Sequence, residues 1–264
     1  MTDWVVVSRD THVTTHFRRR QHYGFSRSMA VSGVVMSELE FLVGHYVMAF
    51  IEEGDSFLPV ALLGGGPVGN AYLDRYDQWQ APYTPALLRG FPFGLGFRGE
   101  GAEPVLGILR DQLCQAPEGE PLFESDGTMT EVVRRTLDLL RECDRQKGIA
   151  VSASACLQAA GVISPWAPEI TINDEAVRLN GLFQVNERKL SALDESAYSA
   201  LRGAPMTLAV AQRLSMAALP ALNRRLQCRS DMLCAASSEP DLDQLFSDGE
   251  DDVLSFGSST MDKL

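Results

Sequence analysis

Short runs of apolar residues, separated by turn-forming residues, fill the first third of the chain. Ser37 can cap a short helix over 37–45, because Glu38 and Glu40 follow it where the helix dipole favours acids. The gaps between the runs are short, so the simplest connection is a meander of antiparallel strands. We interpret the runs as strands at residues 4–8, 12–17, 29–35, 46–51, 57–63, 70–74 and, further along, 105–109.

The second half of the chain changes to a helical spacing of apolar residues. Residues 130–146 carry the clearest pattern, with apolar positions on successive turns. Gly148 is predicted to end or bend this helix, and a second helix at 151–160 to stop at Gly161, the residue type favoured just past a helix end. The remaining elements are a hairpin over 166–172 and 176–185 that turns at 173–174, and helices at 187–193, 195–201 and 206–225.

Residues 77–97 follow neither period and are dense in aromatic residues, proline and glycine. They indicate an ordered, irregular segment that is packed by its rings. One interpretation makes it the floor of a groove for a peptide or an aromatic ligand, with Arg89 orienting a carboxylate. The other interpretation is a rigid loop that closes the sheet. The candidate groove residues are Trp79, Tyr83, Arg89, Phe91 and Phe93.

These elements predict an α+β fold, in which an antiparallel, strongly bent sheet in the N-terminal half packs against a C-terminal helical portion. With 264 residues, of which 45% are hydrophobic, the chain can bury a sizeable core. We expect residues 1–234 to form a single globular domain, with a subdivision conceivable near the loop 116–128. We expect residues 235–264 to form a disordered acidic tail.

Acidic residues are concentrated in this tail. The chain has 23 Lys and Arg against 35 Asp and Glu, a net charge of −12, and residues 239–264 contribute −7 of it through eight acids and one lysine. Low hydrophobicity and high charge leave too little apolar area to offset chain entropy, which favours disorder.

Two similar hexapeptides lie within the tail. The first acidic motif is Asp241-Leu-Asp-Gln-Leu-Phe246, and the second is Asp251-Asp-Val-Leu-Ser-Phe256. Each places acids before apolar residues and ends in Phe. The tail therefore has two open roles, as a solubilising segment or as a docking element that folds onto a basic, apolar groove. The docking side chains would be Leu242, Leu245, Phe246, Val253, Leu254 and Phe256.

The charge of the remaining residues excludes some function classes. Outside the tail the net charge is only −5, and the one basic run, residues 18–20, is short. We interpret it as a solvated strand edge and expect no nucleic-acid binding, which needs clustered cations. No apolar run approaches the roughly 18 residues that a membrane span needs. The start lacks a secretory signal, and five irregularly spaced cysteines favour a reducing compartment, so we expect a cytoplasmic protein.

The four histidines all lie within the first 45 residues. If residues 12–17 are a strand, His12 and His16 face the same side and offer two metal ligands, with Asp10 or Glu40 as a third. The alternative is that the imidazoles are hydrogen-bonded or exposed.

A catalytic site is not evident in the sequence. No Gly-X-Ser-X-Gly elbow occurs, and the glycines between 64 and 69 lack the spacing of phosphate-binding loops. Cys156 lies on an apolar helix and is interpreted as core. We therefore predict no catalytic residues and no cofactor.

The order of several motifs resembles the SapC family. The residues that carry the resemblance are Phe57-Leu-Pro-Val-Ala-Leu-Leu-Gly64, Gly69-Asn-Ala-Tyr-Leu-Asp74, Gln78-Trp-Gln-Ala-Pro-Tyr-Thr-Pro-Ala-Leu-Leu-Arg-Gly-Phe-Pro-Phe93, Gly119-Glu-Pro-Leu-Phe123 and Leu179-Asn-Gly-Leu-Phe-Gln-Val-Asn186. The resemblance spans roughly residues 11–225 and leaves out the acidic tail. Val47 and Gly90 depart from it, since the family commonly has Pro and a second Arg at these positions.

The resemblance implies an accessory role. The family is named for a gene associated with surface-layer protein export, and its members often neighbour genes for TonB-dependent receptors, cupin-like proteins and flavin-dependent halogenases. It supplies no catalytic residues. We therefore predict a non-catalytic accessory or adaptor protein that binds a protein or peptide partner, such as an export component or a flavin-dependent halogenase. The alternative is a metal-dependent or peptide-modifying enzyme that uses the N-terminal histidines.

Overall fold

The computed structural model describes residues 3–65, 68–96, 103–172 and 175–238, with side chains described as far as residue 235. Within these ranges the strands are β1 (Trp4–Val6), β2 (His16–Phe17), β3 (Val31–Gly33), β4 (Met48–Glu53), β5 (Ser56–Leu62), β6 (Phe93–Gly96), β7 (Val105–Leu109), β8 (Leu113–Cys114), β9 (Glu120–Pro121), β10 (Ile163–Trp166), β11 (Glu169–Ile172), β12 (Glu175–Arg178) and β13 (Leu182–Val185). The helices are α1 (Arg9–His12), α2 (Leu39–Leu42), α3 (Ala86–Arg89), α4 (Glu131–Ala159), α5 (Glu187–Ser191), α6 (Glu195–Ala200), α7 (Ala204–Ser215) and α8 (Leu219–Ser238).

All strand pairs are antiparallel, and they form four sheets within the described residues. The largest has the order β10-β13-β4-β5-β3, so it joins strands from both halves of the chain. The others have the orders β1-β7-β6 and β8-β2-β9, and β11 and β12 form a hairpin. The predicted α+β class with antiparallel sheets is therefore confirmed.

Among the described residues, buried apolar side chains form one main cluster and two smaller ones. The main cluster lies between the five-stranded sheet, α7 and the C-terminal half of α4, and it extends to α8 where α8 packs on β11; among its members are Tyr46, Phe50, Leu62, Leu157 and Leu208. The second cluster lies under β6, β7 and the N-terminal half of α4, around Phe17, Phe93, Ile108, Leu122 and Val133. Each amphipathic element thus buries its apolar face against another.

Several local predictions are confirmed because their signals act within a few residues. Asn186 caps α5 by accepting a hydrogen bond from the N–H of Lys189 at 3.1 Å. Asp194 caps α6 in the same way through the N–H of Ala197 at 2.8 Å. Gly161 follows α4 with a φ of +68°, the left-handed conformation that glycine adopts at low cost.

Other predictions are corrected. Residues 12–17 are not a strand, because α1 begins after Ser8, whose hydroxyl caps it, and only His16–Phe17 pair as β2. Ser37 does not cap a helix, since it lies inside a 3-10 turn over Met36–Glu38. Residues 70–74 make isolated bridges and turns instead of a strand.

The C-terminal helices also differ from the prediction. Residues 131–159 form one helix, because Gly148 is accommodated in the middle of α4. Cys156, interpreted as core from the sequence, is exposed on this helix. The final predicted helix is divided into α7 and α8, and Pro220 lies in the first turn of α8, where its missing N–H costs no helical hydrogen bond. Helix α8 reaches Ser238, four residues into the segment predicted as tail.

The glycine-rich loop is shaped by packing. Gly69 has a φ of +66°, and a Cβ at this position would lie 2.3 Å from the carbonyl oxygen of Arg27. The next residue, Asn70, is fully buried; its side-chain amide donates to Ser26 Oγ at 3.0 Å, and its Oδ1 accepts from the N–H of Tyr72 at 2.9 Å. These contacts hold Gly69 and Asn70 against residues 26–27 and account for the glycine at 69.

Candidate functional site

The aromatic segment, residues 77–93, begins at a bidentate ion pair. Asp77 has a φ of 61°, and its carboxylate accepts hydrogen bonds from Nε and Nη2 of Arg27 at 2.7 and 2.6 Å. The carbonyl oxygen of Asp77 also accepts from the N–H of Tyr23 at 2.8 Å. Because a bidentate pair restricts orientation as well as distance, the start of the segment is fixed in place.

The first half of the aromatic segment points into the main cluster. Trp79 donates its indole N–H to the hydroxyl of Tyr46 at 2.9 Å and to the carbonyl oxygen of Tyr83 at 3.1 Å. The rings of Tyr46 and Tyr72 stack with centroids 4.6 Å apart, and Trp79 stacks on Tyr72 at 5.7 Å. Burial raises the pKa of both tyrosine hydroxyls. These are the contacts of a loop that closes the core.

Glu38 is a buried carboxylate that joins α2 to the aromatic segment. Its oxygens accept hydrogen bonds from the N–H of Val35 at 3.0 Å, the N–H of Ala86 at 2.7 Å and the hydroxyl of Tyr83 at 3.0 Å. Only 2% of the residue is exposed. Desolvation raises the pKa of Glu38, while the two backbone donors, the Tyr83 hydroxyl and the positive charge of Arg89 act in the opposite direction.

Arg89 lies at the end of α3, beside this buried network. Its Nε donates to the carbonyl oxygen of Thr84 at 3.0 Å, and Nη2 bonds to the hydroxyl of Tyr83. The guanidinium carbon lies 4.6 Å from the centroid of the Tyr83 ring. Burial raises the pKa of Tyr83, as does the negative charge of Glu38. The Tyr83 hydroxyl therefore links the buried carboxylate to the guanidinium.

Two arginines of the basic run lie on the surface and pair with acids of the loop around β9. Arg18 bonds to Glu118 at 2.9 Å, and Arg19 bonds to Glu120 at 3.2 Å. The side chains of Arg18 and Arg19 are 51% and 69% exposed. Exposed pairs of this kind contribute only about 0–1 kcal/mol, so these guanidiniums can exchange partners at low cost.

The third arginine of the run is held more firmly. Nη1 of Arg20 donates to the carbonyl oxygens of Leu88 and Arg89 at 3.1 and 2.9 Å, which are orphan acceptors at the end of α3. Its guanidinium carbon lies 4.4 Å from the centroid of the Tyr23 ring. Arg20 thus connects the basic run to the aromatic segment.

The basic run borders a large open cleft. This arginine cleft has a volume of about 920 Å³, and its lining includes Arg18, Arg19, Arg20, His22, Phe25 and Phe91. Phe91 stacks face to face on Phe25 at 4.0 Å, which gives the cleft an apolar wall. Three acids, Asp111, Glu118 and Glu120, also line the cleft, and the last two are the ion-pair partners of Arg18 and Arg19.

A second, smaller pocket also borders Phe91. It has a volume of about 130 Å³, and Arg19, Arg20, Arg89, Phe17, Phe91 and Phe93 are among its lining residues. The residues around it include three arginines and no acid among those described. Arg19, Arg20 and Phe91 border both spaces, so the two spaces share one wall.

The structure brings three of the five predicted groove residues together and leaves the other two apart. Arg89, Phe91 and Phe93 line the small pocket, where Phe93 is largely buried and lies edge-on to Phe17 at 4.9 Å. Trp79 and Tyr83 are partly buried and pack against the main cluster. Sequence reasoning missed Arg19 and Arg20 as site residues; the available signal was the close succession of basic and aromatic residues in 16–25.

The structure does not place His12 and His16 as the pair of metal ligands that a strand over 12–17 would have offered. His12 lies on α1, where its ring contacts the Thr11 hydroxyl at 2.7 Å, and His16 lies on β2, so they do not share the face of one strand. Among the described residues, no three His, Cys, Asp or Glu side chains are grouped so that they could hold a metal ion. The two acidic motifs lie outside the described residues, so their docking role stays a prediction.

The described helices include none that is both long and apolar enough to cross a bilayer.

Comparison with curated proteins gave no match, and comparison with solved structures gave none either. One family does match, the one described as SapC, and it covers residues 7–222 of the 264. The match includes the aromatic segment, the basic run and both spaces beside Phe91, and it ends within α8. The chain therefore belongs to the SapC family.

Proposed function

We propose that this protein is a non-catalytic accessory protein that binds a carboxylate-bearing peptide segment of a partner protein in the arginine cleft. The observation that supports it best is the shared wall of Arg19, Arg20 and Phe91 between the cleft and the small pocket. Cations and an apolar ring at one wall suit a segment that presents an acid beside an apolar residue.

The cations favour a carboxylate as the group recognised. Guanidinium groups form strong, oriented pairs with carboxylates. Arg18 and Arg19 already bind carboxylates of this chain at the surface, and a partner acid can replace those weak exposed pairs. The small pocket, with three arginines and no described acid, suits a single carboxylate group.

The dimensions favour an extended peptide. The arginine cleft and the small pocket share the wall at Phe91, so a ligand that fills both has to place groups in two unequal spaces. An extended chain does so by placing successive side chains on either side of its backbone. By family resemblance, the partner would be an export component or a flavin-dependent halogenase.

A displayed library of random peptides with free C-termini tests the proposal without knowledge of the partner. We expect selection on the full-length protein to enrich Asp, Glu or a terminal carboxylate next to an apolar residue. Selected peptides should bind about tenfold or more weakly to Arg19→Glu, since a charged hydrogen bond contributes roughly 1.5–3 kcal/mol. Phe91→Ala should weaken binding too, and titration calorimetry measures both effects.

Arg178→Glu is a matched control. Arg178 is an exposed, ion-paired arginine of β12, and its side chain is 72% exposed, close to the 69% of Arg19. We expect the selected peptides to bind this variant as they bind the wild type. Peptides that bind Arg19→Glu with unchanged affinity, or a selection without enrichment of acids, would refute the proposal.

A further inference from the structure

A second groove runs along α8, apart from the arginine cleft. This α8 groove has a volume of about 490 Å³, and its lining includes Leu73, Asp74, Arg224, Arg225, Arg229 and Met232. The positions of Arg225 and Arg229 are one helical turn apart, so both face the same side of α8. Ala71, Leu73 and Met232 add apolar surface, which makes the groove both basic and apolar.

Arg229 is a buried cation without a carboxylate partner in the described part of the chain. The residue is 7% exposed, and Nη1 makes long contacts of 3.4 Å with the carbonyl oxygens of Leu73 and Asp74 and a weak contact of 3.7 Å with Sδ of Met232. Its Nε is buried and has no hydrogen-bond partner among the described residues. Burying a charge that lacks a paired group is costly, so this guanidinium is suited to receive an acid.

The other charges of the groove leave it positive. Asp74 is the one acid in its described lining, and its oxygens already accept hydrogen bonds from the N–H groups of Tyr76 and Gln78 and from the side chain of Gln80. Among the described residues no acid forms an ion pair with Arg224, Arg225 or Arg229. Three cations against one satisfied carboxylate favour an acidic occupant.

We propose that the α8 groove binds the first acidic motif of this same chain, residues 241–246. The motif offers Asp243 to Arg229, and Leu245 and Phe246 to the apolar surface of Ala71 and Leu73. This surface is distinct from the arginine cleft, so the inference does not depend on the proposed function. The docked motif would supply the carboxylate that Arg229 lacks among the described residues.

The length of the chain allows this return. From Ser238 back to Arg225 the helix rises about 20 Å, at 1.5 Å per residue. The eight residues from Ser238 to Phe246 span about 26–29 Å when extended. After a turn of two or three residues, the motif can therefore lie antiparallel to the segment of α8 that carries Arg225, Arg229 and Met232.

The position of the motif favours it over other acidic segments. A short tether keeps the first acidic motif at a high effective concentration near the groove, and this concentration falls as the linker becomes longer. The second acidic motif, residues 251–256, is ten residues further along the chain. A free acidic peptide or a second copy of the protein lacks the tether altogether.

Alkylation of Cys228 measures whether the groove is covered. Cys228 is an exposed thiol that lines the α8 groove, and Cys156, an exposed thiol on α4, serves as an internal reference. We expect iodoacetamide to modify Cys228 several times faster in the full-length variant Leu245→Ala/Phe246→Ala than in the wild type. The rate at Cys156 should stay the same, and mass spectrometry of the digested protein resolves the two sites.

Two further variants test whether the first acidic motif and the arginines of the groove cause the protection. Val253→Ala/Phe256→Ala alters the second motif in the same manner and should leave Cys228 protected. Arg224→Glu, at an exposed position on the rim of the α8 groove, should speed the alkylation of Cys228 by weakening docking.

Equal rates of Cys228 alkylation in the wild type and the Leu245→Ala/Phe246→Ala variant would refute the inference. Protection that increases with protein concentration would also refute it, because the tail would then occupy a second copy.

Discussion

At the scale of single residues, Glu38 is a buried acid whose pKa is raised by folding. Burial raises its pKa, so the folded protein retains a proton that the unfolded chain releases. The resulting stability is complete below the ordinary pKa of 4.5 and is lost as the pH rises through the raised value. We therefore predict that the unfolding free energy of the wild type falls, relative to that of Glu38→Gln, as the pH increases above 4.5. Urea denaturation at a series of pH values measures this difference.

Glu40→Gln is the matched control, since Glu40 is an exposed acid two residues away on α2. Subtracting its effect corrects for the loss of one negative charge. A difference between wild type and Glu38→Gln that stays constant or increases from pH 4 to 7 would contradict the role assigned to the buried carboxylate.

The partners of Glu38 also show what the sequence could reveal about single residues. Asn186 and Asp194 are predictable as helix caps because each bonds to an N–H three residues away. Glu38 bonds to Tyr83 and Ala86, which are 45 and 48 residues away, and no local pattern brings them together. Arg20 has acceptors 68 and 69 residues away, and for the same reason the sequence predicts only a solvated edge at this position.

At the scale of elements, two glycines of the α4 region should respond oppositely to alanine. Gly148 lies inside the helix and Gly161 follows it with a φ of +68°, and a Cβ at either position would meet no atom within 4 Å. The two substitutions therefore differ only in the backbone conformation that alanine must adopt. We predict that Gly148→Ala raises the unfolding free energy by about 0.5–1 kcal/mol. Gly161→Ala should lower it by about 1–2 kcal/mol, because an L-residue is strained in this conformation.

Guanidinium denaturation of the two variants measures both changes, and each variant acts as the control for the other. A loss of stability in Gly148→Ala would mean that the helix is bent or interrupted at this position. A gain in Gly161→Ala would mean that residue 161 does not need its left-handed conformation.

The continuity of α4 shows why the full length of a helix is harder to predict than the residues that cap it. Gly148 has a low helix propensity, and the sequence indicates a break there. The structure carries the helix through it, because Cys143, Ala150, Ala153 and Leu157 are buried on both sides of the glycine. Tertiary burial thus outweighs roughly 1 kcal/mol of local preference. In contrast, residues 12–17 have strand-like composition, but only two of them find partner strands.

At the scale of the whole molecule, the sequence predicts the α+β class but not the arrangement of its sheets. The apolar runs and helical periods are local, and they identify most of the elements. The largest sheet depends on a pairing between distant strands, since β13 lies against β4 with Leu182 opposite Ile51. That pairing encloses the main cluster with residues from both halves of the chain.

The 29-residue helix α4 should make the main cluster and the second cluster unfold together. It is about 43 Å long at 1.5 Å per residue; its Val133 is buried in the second cluster and its Leu157 in the main cluster. We predict that Ile108→Ala, at a fully buried position of the second cluster, lowers the unfolding free energy by about 2–5 kcal/mol. Since α4 couples the clusters, hydrogen exchange monitored by mass spectrometry should accelerate in β4 and β5 as much as in β7.

Leu157→Ala is the reciprocal control, and it should accelerate hydrogen exchange in β7. Faster exchange confined to the mutated cluster would instead divide the globular part into two independently unfolding units.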